Sequence, residues 1–318
     1  MQVLIAGLGS IGLRQAGLLS ERDDVELLSY RTGNGPPVPA DLDIRTYREL
    51  NDALATDPDV AFVTNPTNKH VDVAQKCAKQ GCDLFVEKPL SHDFTGTSEL
   101  GKIAEEQDLV TMVGCQFRFD PVIKRVRNIV STEEFGPIQS FRAYSGSYLP
   151  DWRPDRDYKS TYSAHSDRGG GVVLDLIHEI DYLYWFFGLP ERVSASLSSV
   201  PGLDIDSESV AEILMTVEEN VPGSVHLDYC RPVPRRSLEL NCEDAVITGD
   251  VRKSSIKIET QEGTESEEFD VERDDRFRAQ TDYFLEKVRE REECQNDIRT
   301  AKEVLGIALE IKSETPYE

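Results

Sequence analysis

The first 118 residues alternate short apolar runs with segments of helical period. The runs "QVLIA" (2–6), "VELLSY" (25–30), "VAFVT" (60–64), "DLFVE" (83–87) and "LVTMVG" (109–114) have the length and β-branched content of buried strands. Between them, 11–21, 47–56, 69–80 and 93–107 repeat apolar residues every three to four positions, as helices packed on a sheet do. This rhythm predicts an α/β domain over 1–118 built on a doubly wound parallel sheet.

From residue 119 the pattern changes. A helix is expected over 121–131 and a strand over 138–148, followed by a loop rich in Pro and Asp and a glycine-led segment. Segments at 193–200, 208–218, 223–230, 236–241, 245–249, 254–260 and 266–271 then alternate apolar with polar residues, the signature of an antiparallel sheet with one face on helices. Helices near 276–291 and 297–312 close a second α/β domain over 119–318, whose open sheet is mostly antiparallel. The acidic run at 262–275 reads as a solvated turn and strand edge. In "RVSASLSSV", Val193, Ala195 and Leu197 alternate with serines, which leaves one sheet face free for a second subunit and predicts a homodimer or homotetramer.

The glycine-led segment is "GGGVVLDLIHEIDYL", 169–183. Three glycines are a costly way to begin a helix. On a helical wheel, however, Val173, Leu176, Ile177, Ile180, Leu183 and Tyr184 fall on one stripe and Asp175, His178 and Tyr182 on the opposite side. The expectation is a single helix that buries one face and presents an acid and an imidazole on the other.

Composition narrows the function. The net charge of −24, from 59 acidic and 35 basic residues, repels nucleic acid and anionic membrane surfaces. Only 12 of the basic residues are lysines, and this bias to arginine amid many acids resembles proteins that work in high salt. A basic-then-apolar leader is lacking and the apolar runs are too short to span a bilayer, so a soluble cytoplasmic protein is expected. The six cysteines show neither CxxC pairs nor zinc spacing, which predicts reduced thiols and no metal.

"AGLGSIGLRQ" sets Gly7, Gly9 and Gly12 between the first strand and a helix, with Ser10 and Ile11 in the turn. In the dinucleotide fingerprint the first glycine makes the turn, the second admits the pyrophosphate and the third lets helix and strand approach. An acid that bonds the ribose hydroxyls of NAD is expected at the end of the second strand. Here "SYRTG" offers Ser29, Arg31 and Thr32 instead, a set suited to a 2′-phosphate, with Arg31 also able to stack on adenine; NADP is favoured over NAD.

Taken with "TNPTNKH" (64–70), "EKPL" (87–90), "GCQFRFDP" (114–121) and "GGGVVLDLIHEID" (169–181), these residues resemble the glucose-fructose oxidoreductase, inositol dehydrogenase and MocA family in order and spacing. The resemblance implies a Rossmann domain followed by an α/β domain whose sheet forms a substrate floor and an oligomer surface. It implies that Lys88 sits beside the nicotinamide and the reacting hydroxyl, Glu87 near the nicotinamide ribose, and Pro89 after a cis peptide. Asn65, Pro66 and His70 fall on the cofactor loop, where His70 either supports that loop or makes a local hydrogen bond. His178 matches the catalytic histidine and Asp175 its acidic partner, three residues apart here and four in many members. The glycines before them would then let the helix end approach nicotinamide and sugar.

A histidine titrates near neutrality and suits the hydroxyl proton. In this reading His178 is the base or acid, Lys88 stabilises the developing alkoxide, and Asp175 orients His178 and binds a neighbouring hydroxyl. The loop at 148–168 supplies Trp152, Arg153, Arg156, Tyr158, Tyr162 and Arg168, and with Arg118 these suit an anionic sugar: a nucleotide sugar, a uronic acid or an ulosonic acid. Three functions are open: an NAD(P)-dependent sugar dehydrogenase or reductase, a redox-cycling epimerase or glycosidase that retains its NAD, and a non-catalytic nucleotide sensor, against which the presence of both Lys88 and His178 argues.

Salt should stabilise so acidic a chain by screening its crowded carboxylates. The unfolding midpoint is expected to rise from low to molar salt; a flat or falling trend in a thermal melt would assign the acidity another purpose.

Overall fold

The structure is a computed structural model that describes residues 1–33 and 36–313; residues 314–318 of the expected second domain lie outside the described residues. The chain forms two compact units, Met1–Cys115 with Phe277–Leu305, and Gln116–Arg276 with the chain from Gly306 onward.

In the first unit the elements follow the order β1 (Gln2–Ala6), α1 (Ser10–Ser20), β2 (Glu26–Tyr30), β3 (Arg45–Tyr47), α2 (Leu50–Leu54), β4 (Val60–Val63), α3 (His70–Lys79), β5 (Asp83–Glu87), α4 (Thr97–Glu106) and β6 (Thr111–Gly114). All strands are parallel in the order β3-β2-β1-β4-β5-β6, which reverses direction between β1 and β4. Such a switch point opens a crevice at the carboxyl ends of the strands, where α/β sheets take their ligands. The strands are apolar almost throughout because helices cover both faces. On one face Leu4, Ala61, Val63, Leu84 and Val86 pack with apolar residues of α2, α3 and α4. On the other, Phe62 stacks on Phe85 with centroids 4.6 Å apart.

Packing redraws the expected division at 118/119. The helix α8 (Arg273–Glu290) sets Phe284, fully buried, edge-on against Phe62 and Phe85. Beyond it Asn296 pairs with β6: Val113 N–H donates to the Asn296 carbonyl at 2.8 Å and the Asn296 side chain donates to the Val113 carbonyl at 2.9 Å. Residues from near the end of the chain thereby complete the unit begun at residue 1. The three-residue strand β3, of which only Tyr47 fell in an expected element, the helix over 47–56, is too short and polar to show alternation.

The second unit contains α5 (Pro121–Thr132), β7 (Ile138–Gly146), α6 (Val172–Asp175), α7 (His178–Phe187), β8 (Arg192–Ser198), β9 (Val210–Val217), β10 (Val221–Asp228), β11 (Arg235–Cys242), β12 (Val246–Asp250), β13 (Ser255–Thr260) and β14 (Gly263–Glu268), and the helix α9 (Ile298–Ser313) belongs to the first unit up to Leu305 and to the second from Gly306. Its eight strands run β14-β13-β12-β11-β7-β10-β9-β8, all antiparallel to their neighbours except the parallel pair of β7 and β10. Asp120 starts α5 by accepting from the Val122 and Ile123 N–H groups ahead of Pro121. The expected acidic edge is β14, whose residues are largely exposed. Among the described residues no helix is long and apolar enough to cross a membrane.

The aromatic contact gives a direct measure of how far α8 belongs to the first sheet. Phe284→Ala should cost about 3–5 kcal/mol of stability, the usual range for emptying a buried aromatic site; urea denaturation showing under about 1 kcal/mol would place α8 outside that core.

Candidate active site

The nucleotide half is built on the β1 turn. Gly7 has φ +108°, open to glycine at little strain, and donates its N–H to the Tyr30 carbonyl at 2.9 Å. The Thr64 hydroxyl donates to the Gly7 carbonyl at 2.6 Å and fastens the turn to the end of β4. A side chain at Gly12 would collide with that same carbonyl, whereas one at Gly9 would meet nothing within 4 Å. The loop is therefore closed on the sheet side and open above Gly9, at the N-terminus of α1, where no side chain caps the helix. A pyrophosphate fits this cradle by charge and by space. Ser10 is exposed and Ile11 half-buried beside it.

The end of β2 departs from expectation. Ser29 is fully buried and its hydroxyl is bonded to Thr46 of β3 at 2.9 Å, so it is withdrawn from any nucleotide. Arg31 is half-buried, donates to the Pro36 carbonyl at 2.7 Å and leaves its Nε buried without a partner; Thr32 is exposed.

At the carboxyl end of β5, Lys88 is half-buried and precedes the cis peptide to Pro89. His70 is buried, with Nδ1 2.9 Å from the Pro89 carbonyl and Nε2 2.8 Å from the Asn65 carbonyl. It ties the loop after β4 to the peptide after Lys88, so its role is local support and not contact with a cofactor. Burial lowers its pKa, against the pull of the two carbonyls. Asn65 donates to the Lys69 carbonyl at 3.0 Å, and Pro66 is exposed. Glu87 is buried, and one carboxyl oxygen lacks a hydrogen-bond partner among the described residues. Desolvation raises its pKa to about 7, although the Lys88 ammonium and Gln15 pull it back.

The residues matched to the catalytic pair, Asp175 and His178, lie in the second unit. The glycine-led segment is two helices, not one: Leu176 and Ile177 break α6 from α7, and the whole stretch from Val172 to Leu183 is buried on every side. The apolar stripe and the polar face are both interior, which is why the wheel projection missed the break. The glycines also have a different cause from the one expected. Gly171 has φ +107° and a Cβ there would collide with the Glu208 carboxylate, while a Cβ on Gly170 would lie within 2.7 Å of the Ser163 and His165 carbonyls. Glu208 in turn is held by Lys312 at 2.8 Å.

Asp175 ends α6 and His178 begins α7. Tyr229, at the exit of β10 and fully buried, donates its hydroxyl to Asp175 Oδ2 at 2.6 Å, and the Tyr162 hydroxyl bonds the same carboxylate. Burial first, and then the Asp175 charge, raise both phenols well above their ordinary range, so both remain donors. Trp152 meets Tyr229 edge-on at 5.3 Å and donates to the Ser147 hydroxyl at 2.7 Å. Tyr158 is half-buried in a short turn; Arg153 is half-buried, and Arg156 and Arg168 are exposed. Tyr229 escaped sequence reasoning because no motif surrounds it; its position three strands beyond the helix carries no local signal.

His178 stands edge-on to Phe117 at 4.8 Å. Arg236 lies over the Phe117 ring at 4.3 Å and pairs with the fully buried Glu179 at 2.7 Å. Arg118 is 1% exposed, and its guanidinium grips Asp181 with two bonds of 2.9 and 2.7 Å. It is a structural ion pair and not a substrate ligand, because no donor face remains turned to solvent.

An oxidoreductase family with an NAD-binding Rossmann fold, Gfo/Idh/MocA, matches residues 1–115, and the C-terminal domain of the same family matches residues 123–248. The chain belongs to this family. A D-xylose 1-dehydrogenase (NADP(+)) of Haloferax volcanii is 25% identical over 205 residues, covering 64% of this chain and 61% of the relative. An inositol 2-dehydrogenase of Rhizobium meliloti is 26% identical over 226 residues, covering 67% and 64%. The matched stretch spans less than two-thirds of either relative's own length. The solved structure of a UDP-N-acetylglucosamine 3-dehydrogenase from Acidithiobacillus ferrooxidans shares the fold across 99% of this chain and 97% of its own, with a TM-score of 0.82 at 21% identity.

The protonation of Glu87 has a measurable consequence. The folded state keeps a proton that the unfolded state loses near pH 4.5, so the group's stabilising contribution is whole below that pH and is lost as the pH rises through about 7. At about 1.4 kcal/mol per pKa unit, wild-type stability should fall by up to about 3 kcal/mol more than that of Glu87→Gln between pH 4.5 and pH 8. Urea denaturation across that range reads the difference; parallel curves would mean Glu87 is ionised throughout.

Proposed function

We propose that this member of the family is a dehydrogenase or reductase that moves a hydride between a nicotinamide dinucleotide, NADP in preference to NAD, and a secondary alcohol of a sugar, sugar acid or nucleotide sugar. The observation that carries the reading is the buried Asp175, held by Tyr229 and Tyr162 and set three residues before His178. A carboxylate buried in this way needs donors to offset desolvation, and a site that supplies two tyrosines to one acid fixes its orientation. Similarity to sugar- and inositol-named dehydrogenases supports the substrate class, and Arg31 without an acid at the end of β2 supports NADP.

When bound, the dinucleotide supplies the hydride acceptor or donor. The chain's own groups handle charge and proton: His178 takes the hydroxyl proton on an imidazole nitrogen in the oxidative direction and returns it in the reductive one, the Lys88 ammonium stabilises negative charge on the substrate oxygen, and Asp175 fixes the imidazole and accepts from a neighbouring hydroxyl. Gly7, Gly9, Ser10, Ile11 and Gly12 hold the pyrophosphate, and Trp152, Tyr158 and Tyr162 border the sugar. The outer face of the second sheet, which carries the serines of β8 and Leu214 at 63% exposure, is the surface on which a homodimer or homotetramer would form.

His178→Ala should lower turnover by roughly 10²- to 10⁴-fold, about 3–5 kcal/mol in the barrier, with dinucleotide affinity unchanged. Lys88→Ala should do comparable damage. Steady-state rates on a panel of sugars and nucleotide sugars with NAD and NADP test both; near-normal turnover of the histidine variant on the best substrate would refute the proton role.

A further inference from the structure

The corner of the first sheet where β2 and β3 end gathers positive charge. The strands run parallel with Ser29 opposite Thr46 and Tyr30 opposite Tyr47, and the Arg31 N–H donates to the Tyr47 carbonyl at 3.1 Å. Arg31 and Arg48 thus leave neighbouring strands side by side. The Arg48 guanidinium lies against Gly33, where a Cβ would collide with it and where φ is +101°. Arg45 lies over the Tyr47 ring with 5.1 Å to its centroid. The Tyr47 hydroxyl and Arg31 Nε are both buried without a hydrogen-bond partner.

Arg31 and Arg48 follow the paired ends of neighbouring strands, and adjacent like charges on paired strands are unfavourable. The chain has 59 acidic residues against 35 basic ones, and elsewhere its arginines sit on carboxylates, as Arg22, Arg125, Arg278 and Arg289 do. No described carboxylate pairs with Arg31, Arg45 or Arg48. A cluster left unneutralised in so acidic a protein is matched to an anion from outside, and a phosphate monoester is the dianion that two forked guanidiniums bind best.

We infer that Arg48, from the end of β3, is a second anion-binding residue that joins Arg31 on the 2′-phosphate of the dinucleotide and sets the discrimination against the unphosphorylated form. This rests on the NADP reading above. Gly33 serves the arrangement by leaving room for the Arg48 head beside the Arg31 loop. Arg48 is exposed and makes no contact within the core, so its removal leaves the fold intact.

Calorimetric titration of the whole chain with NADP, NAD and adenosine 2′,5′-bisphosphate tests the inference without recourse to activity. Arg48→Gln should weaken NADP and the bisphosphate by about ten-fold or more and leave NAD within about two-fold, with an unchanged unfolding midpoint. Arg31→Gln serves as the comparison. A wild-type preference for NADP that survives Arg48→Gln but not Arg31→Gln overturns the role of Arg48 alone. Wild-type protein that binds NAD at least as tightly as NADP overturns the cofactor reading and this inference with it.

Discussion

Buried charge, neutralised in pairs, is the constraint on which the second unit is built. Arg118 with Asp181, Arg236 with Glu179 and Arg276 with Asp120 place three carboxylates and three guanidiniums around the start of α5 and the length of α7. Each pair is costly to desolvate and more costly to break, since one removed partner strands the other in an apolar setting. The aromatic rings complete the arrangement: Phe117 takes Arg236 and Arg276 against its face and His178 against its edge. The orientation of the imidazole is therefore set by the same ring that helps desolvate two cations.

The first unit answers to a different requirement, which is backbone access. Its strands are apolar on both faces and its helices close over them, while a crevice opens where β1 and β4 part. There, the Gly7 turn is locked from below by Thr64 and open above Gly9. His70 adds stiffness by joining the loops after β4 and β5, so the segment bearing Lys88 is braced by a buried side chain.

Much of this was legible in the sequence wherever one physical cause controlled the pattern. Apolar runs located five of the six strands of the first sheet, and alternation located seven of the eight of the second, the other being the strand-like stretch at 138–148. Legibility failed where partners lie far apart in the chain. Arg118 reads as an anion ligand until Asp181, 63 positions away, is seen to hold it. Ser29 reads as a cofactor contact until Thr46 claims its hydroxyl, and β3 itself is too short to show a period. The break between α6 and α7 was hidden because the rule that one face is polar and exposed does not hold for a helix buried all round. Tyr229 was invisible for the related reason that a hydrogen bond across 54 positions leaves no local trace.

The pairing of Asn296 with Val113 and the seating of Phe284 on the Phe62–Phe85 stack bear on how the chain comes off the ribosome. Until residues beyond 276 emerge, the last strand of the parallel sheet has a bare edge and one face of its aromatic core has no cover. An uncovered edge of this kind templates pairing with other chains. The domain translated first is thus finished last, after the whole of the second sheet has been made. Nascent protein passes through an interval in which the unit with the most hydrophobic strands is the one still unsealed, and the arrival of the α8 segment ends it.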